Sequence, residues 1–436
     1  MRNSIKFYSC RAARVVAALA VVCAWANAED LKPKSPHHRA TIHPSLVYLE
    51  PGEEQPFKIV MLATRLMAAM PPKQVTWSVN DIPGGDNTVG TIGADGVYRT
   101  PAQMPSPREV HIVAEVPESA NRFLFATVIV GKEPIVYRGI HVWSEPVISE
   151  ETGRSEHMRD PHGIAIDKEG NLIIADQLGS KVVRYTKDGK YLGELGLGSG
   201  SEEGHFTEPR IVEVASDGRI FISDSKGDRP RLQIFSPKGE FLKIFAEKGR
   251  PDGMLLRCHG LSFGPTGHLF ATDVDNMRVN VYDNQGEFLY QWGEEGLNPG
   301  QLNAPHGIFV DRSSDVFITS YYGPTQKFDA RGNYVGAFAY GDPPDGPVYF
   351  HNMTGDRWGN IYCMVRTKSG YQGAISKAGA KDVSIAKYNN NGDFITSWAF
   401  STPEHEETTC TVDSDGKVYA LFTSKKELGV ETFQQD

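Results

Sequence analysis

The sequence predicts an all-β protein: a β-propeller of six four-stranded blades behind a small N-terminal β-sandwich. Three observations predict it. The chain repeats itself from Pro134 onward with a period of forty-odd residues, and each repeat has room for four short strands. The last repeat is one strand short, and an unassigned β-rich stretch, Ile135 to Trp143, lies just before the first repeat. Between about Ala40 and Val130, short β-rich runs alternate with Gly, Pro and Asn clusters, and no helical period persists.

The repeat is clearest in two heptapeptides. Pro161-His162-Gly163-Ile164-Ala165-Ile166-Asp167 matches Pro305-His306-Gly307-Ile308-Phe309-Val310-Asp311. In the first unit the following strands are Asn171 to Asp176, Lys181 to Tyr185 and Tyr191 to Leu195; in the third they are His268 to Asp273, Arg278 to Tyr282 and Glu287 to Trp292. Aligning the end of each first strand gives six anchors: Asp167, Ala215, Gly264, Asp311, Asp356 and Asp413. In the sixth unit the strands are Thr409 to Asp413, Lys417 to Phe422 and one near Val430 to Phe433. Ile135 to Trp143 is expected to complete that blade and close the ring, because closure removes the exposed edges of an open arc. The unit Asp275 to Gly307, with Asn276, Arg278, Tyr282, Gly286, Phe288, Gly293, Gly296, Gly300-Gln301-Leu302 and Pro305-His306-Gly307, closely resembles the NHL repeat.

The N-terminal strands are expected at Ile42 to Leu49, Phe57 to Leu62, Val75 to Val79, Val110 to Val116 and Phe123 to Val130. Val75-Thr76-Trp77-Ser78-Val79-Asn80, Gly90-Thr91-Ile92 and Gly96-Val97-Tyr98-Arg99-Thr100-Pro101 resemble a bacterial Ig-like domain without its cysteine pair. That resemblance implies a spacer or adhesion module. The expected organisation is a leader over 1–28, an Ig-like sandwich over 40–131 and the propeller over 134–436.

Arg2, Lys6, Arg11 and Arg14, the apolar run Val15 to Trp25 and the small-residue site Ala26-Asn27-Ala28 read as a cleaved signal peptide, so a secreted or periplasmic protein is expected. Losing those four basic residues takes the formal charge from −9 to −13. That acidity argues against nucleic acid or an anionic membrane as partner, and no later stretch is long and apolar enough to span a bilayer. Cys258, Cys363 and Cys410 are too few for a disulfide scaffold; Cys363 and Cys410 fall in adjacent blades. No P-loop, Ser-His-Asp motif or dinucleotide fingerprint is evident.

Five residues before the anchors stand His162, Arg210, His259, His306, His351 and Thr408. Equivalent positions on innermost strands lie at one height around a propeller's channel, so residues roughly fifty apart in sequence share one ring. A Pro-His-Gly triplet also serves as a plain turn formula. Four imidazoles in one register, His162, His259, His306 and His351, instead favour a metal, zinc or another divalent transition ion; spacing leaves open whether three or four of them are ligands and whether one stands beside the metal or acts in catalysis.

NHL-type propellers with blade-opening Pro-His motifs include the peptidyl-α-hydroxyglycine α-amidating lyases, and this chain resembles them. Asp167-Lys168-Glu169-Gly170-Asn171 and Phe235-Ser236-Pro237-Lys238-Gly239-Glu240-Phe241 are similar to the family's blade pieces. The resemblance implies a zinc held by three channel histidines, matched by His162, His259 and His351, a structural calcium, and cleavage of a carbinolamide to an amide and glyoxylate. The chain departs from the pattern where the family has a catalytic tyrosine (here Asp224 to Arg229), an arginine (Val274) and an acidic residue after the last zinc histidine (Asn352), and His306 is additional.

Loops joining the second and third strands should surround the ring. They carry Asp176-Gln177, Asp224 to Arg229, Asp273, Asp275, Tyr321-Tyr322 and Arg366. Tyr321 and Tyr322 are candidate acid/base groups, and Arg210 and Arg366 are candidates to bind a carboxylate or oxyanion. The Asp side chains read as solvated loop charges. The long loop Thr367 to Lys381 is a candidate lid or an insertion. His37-His38, His43 and His405 read as exposed, and Cys258 as a packed thiol. A small-molecule or peptide substrate at the channel mouth is therefore expected. The alternative is a non-catalytic propeller that binds a protein or glycan.

Overall fold

The computed structural model describes residues 39–62, 71–149, 154–224, 229–320, 323–337, 348–367, 383–401 and 409–436. The leader, His37-His38 and His405 lie outside them. Among the described residues the chain is β-strand and turn, with one short 3-10 turn at Val274–Asn276. No helix among them is long and apolar enough to cross a membrane.

Among the described residues from Tyr137 onward there are six four-stranded antiparallel sheets. Sheet I is Pro161–Ile166, Leu172–Asp176, Lys181–Tyr185 and Tyr191–Leu195. Sheets II and III begin with Pro209–Val214 and Cys258–Phe263, and sheets IV and V with Pro305–Val310 and Val348–Gly355. Sheet VI joins Cys410–Val412, Val418–Thr423 and Glu427–Gln435 to Tyr137–Pro146. The pairing expected for the last blade is therefore present, with Trp143 opposite Val430 and Gly139 opposite Phe433.

Each first strand touches the first strands on either side, and those of sheets VI and I touch as well, so the innermost strands form a closed circuit. They line a central cavity of about 250 Å³. Apolar faces of successive sheets pack on each other; Ile211, Phe221 and Leu232 of sheet II meet Leu261, Leu269 and Tyr282 of sheet III in one core.

One local device sets the strand ends. At every anchor the backbone N–H donates to the carbonyl four residues on, at 2.9–3.0 Å, from Asp167 to Asn171 through Asp413 to Lys417. Where the anchor is Asp, its carboxylate also accepts backbone N–H groups of the turn, as Asp356 does from Trp358 and Asn360.

The N-terminal strands form a five-stranded sheet, a four-stranded sheet and a two-stranded pair around a core containing Trp77, Val79, Tyr98, Ile112 and Val128. The run expected as one strand from Ile42 is two, Ala40–His43 and Leu46–Leu49, divided at Pro44, and the two strands belong to different sheets. This region sits on the turns of sheets IV and V, on the face where innermost strands end. Arg39 pairs with Asp315 at 2.6 Å, Arg312 with Asp81 at 2.7 Å, and buried Lys387 with buried Glu109 at 2.5 Å.

Candidate functional site

The innermost strands open on the opposite face, and a β-bulge marks that opening in sheets I to V. In sheet I Pro161 faces Asp176 and Gly163 faces Ala175, so His162 has no partner in the register. Arg210, His259, His306 and His351 fall in the same interruption of their own sheets. A bulge re-aims the side chain of the unpaired residue.

The glycine of Pro-His-Gly has a separate cause. A Cβ on Gly163 would lie 2.4 Å from the Arg210 carbonyl oxygen, one on Gly260 2.6 Å from that of His306, and one on Gly307 2.9 Å from the Met353 nitrogen. The innermost strands approach so closely beside the ring residues that a side chain does not fit.

His162, His259 and His306 are buried. The rings of His259 and His306 stand edge to face, 4.4 Å between centroids. Burial, then the charges of His306, Arg210, Arg257 and His162, hold the pKa of His259 far below the ordinary histidine range. His259 is thus a neutral imidazole, the form that binds metal, and its buried Nδ1 has no hydrogen-bond partner among the described residues. No group of three His, Cys, Asp or Glu side chains among the described residues forms a ligand set alone. His351 lies on the strand Val348–Gly355, but its side chain is outside the described residues, as are Thr408, Tyr321, Tyr322 and the side chain of Arg366.

No family model matches the chain. Over 94 residues, a fifth of the chain, it is 35% identical to peptidylglycine alpha-amidating monooxygenase of Rattus norvegicus, and over 93 residues 34% identical to that of Mus musculus. Each match spans 9% of the relative's length. Among solved structures, virginiamycin B lyase from Staphylococcus aureus aligns over 68% of this chain and 99% of its own, at 14% identity and a TM-score of 0.44. A protein of unknown function from Bacteroides thetaiotaomicron aligns over 92% of this chain and 99% of its own, at 12% identity and a TM-score of 0.49.

The acidic residues around the ring differ from expectation. Asp176, Asp224 and Asp273 are buried strand ends that clamp the segment entering each innermost strand. Asp176 accepts from the backbone N–H of Arg159 and Asp160, Asp224 from Thr207 and Glu208, and Asp273 from Leu256 and Arg257. Burial raises the pKa of Asp176 and Asp224, and these hydrogen bonds oppose it. Asp275 is exposed and pairs with Arg257 at 2.6 Å. Cys258 is a packed thiol, pushed up to about 12 by burial, and all three described cysteines are free. His43 lies exposed, its Nε2 3.1 Å from the Thr41 hydroxyl.

Sequence reasoning gave no role to Gln177 or Glu208. Arg210 donates to Gln177 Oε1 at 2.8 Å, and Gln177 Nε2 donates to Glu208 at 3.2 Å. The only sequence signal was position: Gln177 follows the clamp Asp176, and Glu208 stands two residues before Arg210.

Proposed function

We propose that this chain is an exported, zinc-dependent lyase of the peptidyl-α-hydroxyglycine amidating type. In this reading a six-bladed NHL propeller over 134–436 carries the site, an Ig-like module over 40–131 supports it, and residues 1–28 are a signal peptide. The observation that carries the reading is the register of His162, Arg210, His259, His306 and His351 at one bulge of successive sheets, with a buried neutral His259 against His306.

Those residues fit a zinc ion by donor chemistry, because His259 offers a buried Nδ1 that meets no hydrogen-bond donor or acceptor among the described residues. His162, His259 and His351 are the proposed ligands, with His306 beside them or as a fourth. Zinc bound there supplies Lewis-acid polarisation and lowers the pKa of a bound hydroxyl. Arg210, with Arg366, holds the substrate's carboxylate through charge-assisted hydrogen bonds. Tyr321 or Tyr322 takes the carbinolamide hydroxyl proton. The carbon–oxygen bond then becomes the carbonyl of glyoxylate, the carbon–nitrogen bond breaks, and the leaving nitrogen receives a proton to give the amide.

The test is glyoxylate release from a peptidyl-α-hydroxyglycine by zinc-loaded protein, with metal content measured in parallel. His259→Ala should lose most of its zinc and its turnover. Zinc-loaded protein with no turnover above that variant rejects the lyase. Protein that takes up no zinc transfers the reading to a propeller that binds a protein or glycan without catalysis.

A further inference from the structure

Gln177 lies just past the strand Leu172–Asp176 and is 5% exposed. Its backbone is fixed, because its N–H donates to the Asp160 carbonyl at 2.9 Å and its neighbour Asp176 is a clamp. Its side chain reaches sheet II at both ends: Oε1 accepts from Arg210 at 2.8 Å and Nε2 donates to Glu208 at 3.2 Å. Glu208 is fixed in turn, its backbone N–H donating to Asp224 at 2.7 Å.

We infer that Gln177 is a positioning residue that sets the Arg210 guanidinium at the ring, and that Glu208 fixes the orientation of its amide. This rests on the reading of Arg210 as the group that binds the substrate's carboxylate. The amide has one stable orientation. Flipped, it would aim two N–H donors at a guanidinium that has no acceptor, and its oxygen at a carboxylate. Glu208 also polarises the amide, which strengthens Oε1 as an acceptor for Arg210. An amide suits this place better than a carboxylate. It holds the guanidinium without neutralising it, so the positive charge stays available to an anionic substrate.

The experiment is calorimetric titration of zinc-loaded protein with glyoxylate and, separately, with its uncharged methyl ester. Wild-type protein should bind glyoxylate more tightly than the ester. Gln177→Leu should weaken glyoxylate about tenfold, the scale of one charge-assisted hydrogen bond, with ester binding and zinc content unchanged. Gln177→Glu should weaken glyoxylate as well, because its carboxylate neutralises Arg210. Glu208→Gln, which leaves Gln177 in place, should have a smaller effect in the same direction and serves if Gln177→Leu does not fold. Glyoxylate binding unchanged in Gln177→Leu, or lost in parallel with the ester, overturns the inference. Wild-type protein that does not prefer glyoxylate to its ester overturns the reading of Arg210 itself, and the inference with it.

Discussion

The two faces of the circuit of sheets place charge differently. On the face that carries the N-terminal strands, each sign meets the other: Lys387 lies against Glu109 at 2.5 Å, and Asp315 lies between Arg39 at 2.6 Å and Lys327 at 2.8 Å. The ring face also holds matched pairs, Arg231 with Asp224 and Arg278 with Asp273, but the groups that act on His259 there, His306, Arg210, Arg257 and His162, are all basic. The first arrangement is a fastening. Buried groups with strongly shifted pKa values, such as His259, cluster at functional sites.

Three variants sharpen that contrast. Lys387→Met leaves Glu109 buried without its cation and should cost about 3–5 kcal/mol, read by denaturant unfolding. Zinc content of the folded fraction should not change; a loss would show that the two faces are coupled. Gly307→Ala tests the ring face, since the new Cβ would lie 2.9 Å from the Met353 nitrogen and 3.1 Å from the Thr319 hydroxyl oxygen. The expected cost is about 2–3 kcal/mol, with weaker zinc retention because His306 precedes this position. A silent substitution would contradict close strand approach at the bulge.

The smallest effect lies in the channel wall between the faces. Burial raises Glu213 to about 7, against one hydrogen bond from the Phe263 N–H at 3.3 Å. The folded state thus keeps this proton where the unfolded chain, with a pKa of about 4.3, has released it. The stability from Glu213 is complete below about pH 4 and is lost as pH rises through 7. Glu213→Gln should remove this pH dependence, measured as the difference from wild-type protein in stability between about pH 4 and about pH 7. Parallel pH profiles would refute it.

The sheets were legible because their determinants are local. Turns such as Asp167 to Asn171 and Asp356 to Asn360 recur at fixed offsets, and equating them puts His162, Arg210, His259, His306 and His351 in one register. The clamps were misread because burial of Asp176, Asp224 and Asp273 depends on where the chain arrives from the preceding sheet, not on their own neighbours in sequence. Gln177 was placed at the ring but its contacts were out of reach for the same reason, since its partners lie 31 and 33 residues away. The docking of the N-terminal strands was also out of reach: Arg39 and Asp315 are 276 residues apart and nothing local ties them.

Sheet VI has a kinetic consequence. Tyr137 pairs with Gln435 and Trp143 with Val430, so one strand made early must wait for a partner nearly three hundred positions later. The other five sheets are hairpins of adjacent segments and can form in order as synthesis proceeds. Until Glu427–Gln435 emerges, Tyr137–Pro146 lacks the strand it pairs with, and sheets I to V can form only an open arc. Ring closure should therefore be the slow step of refolding, because the loop entropy of almost the whole circuit must be met before that pairing forms.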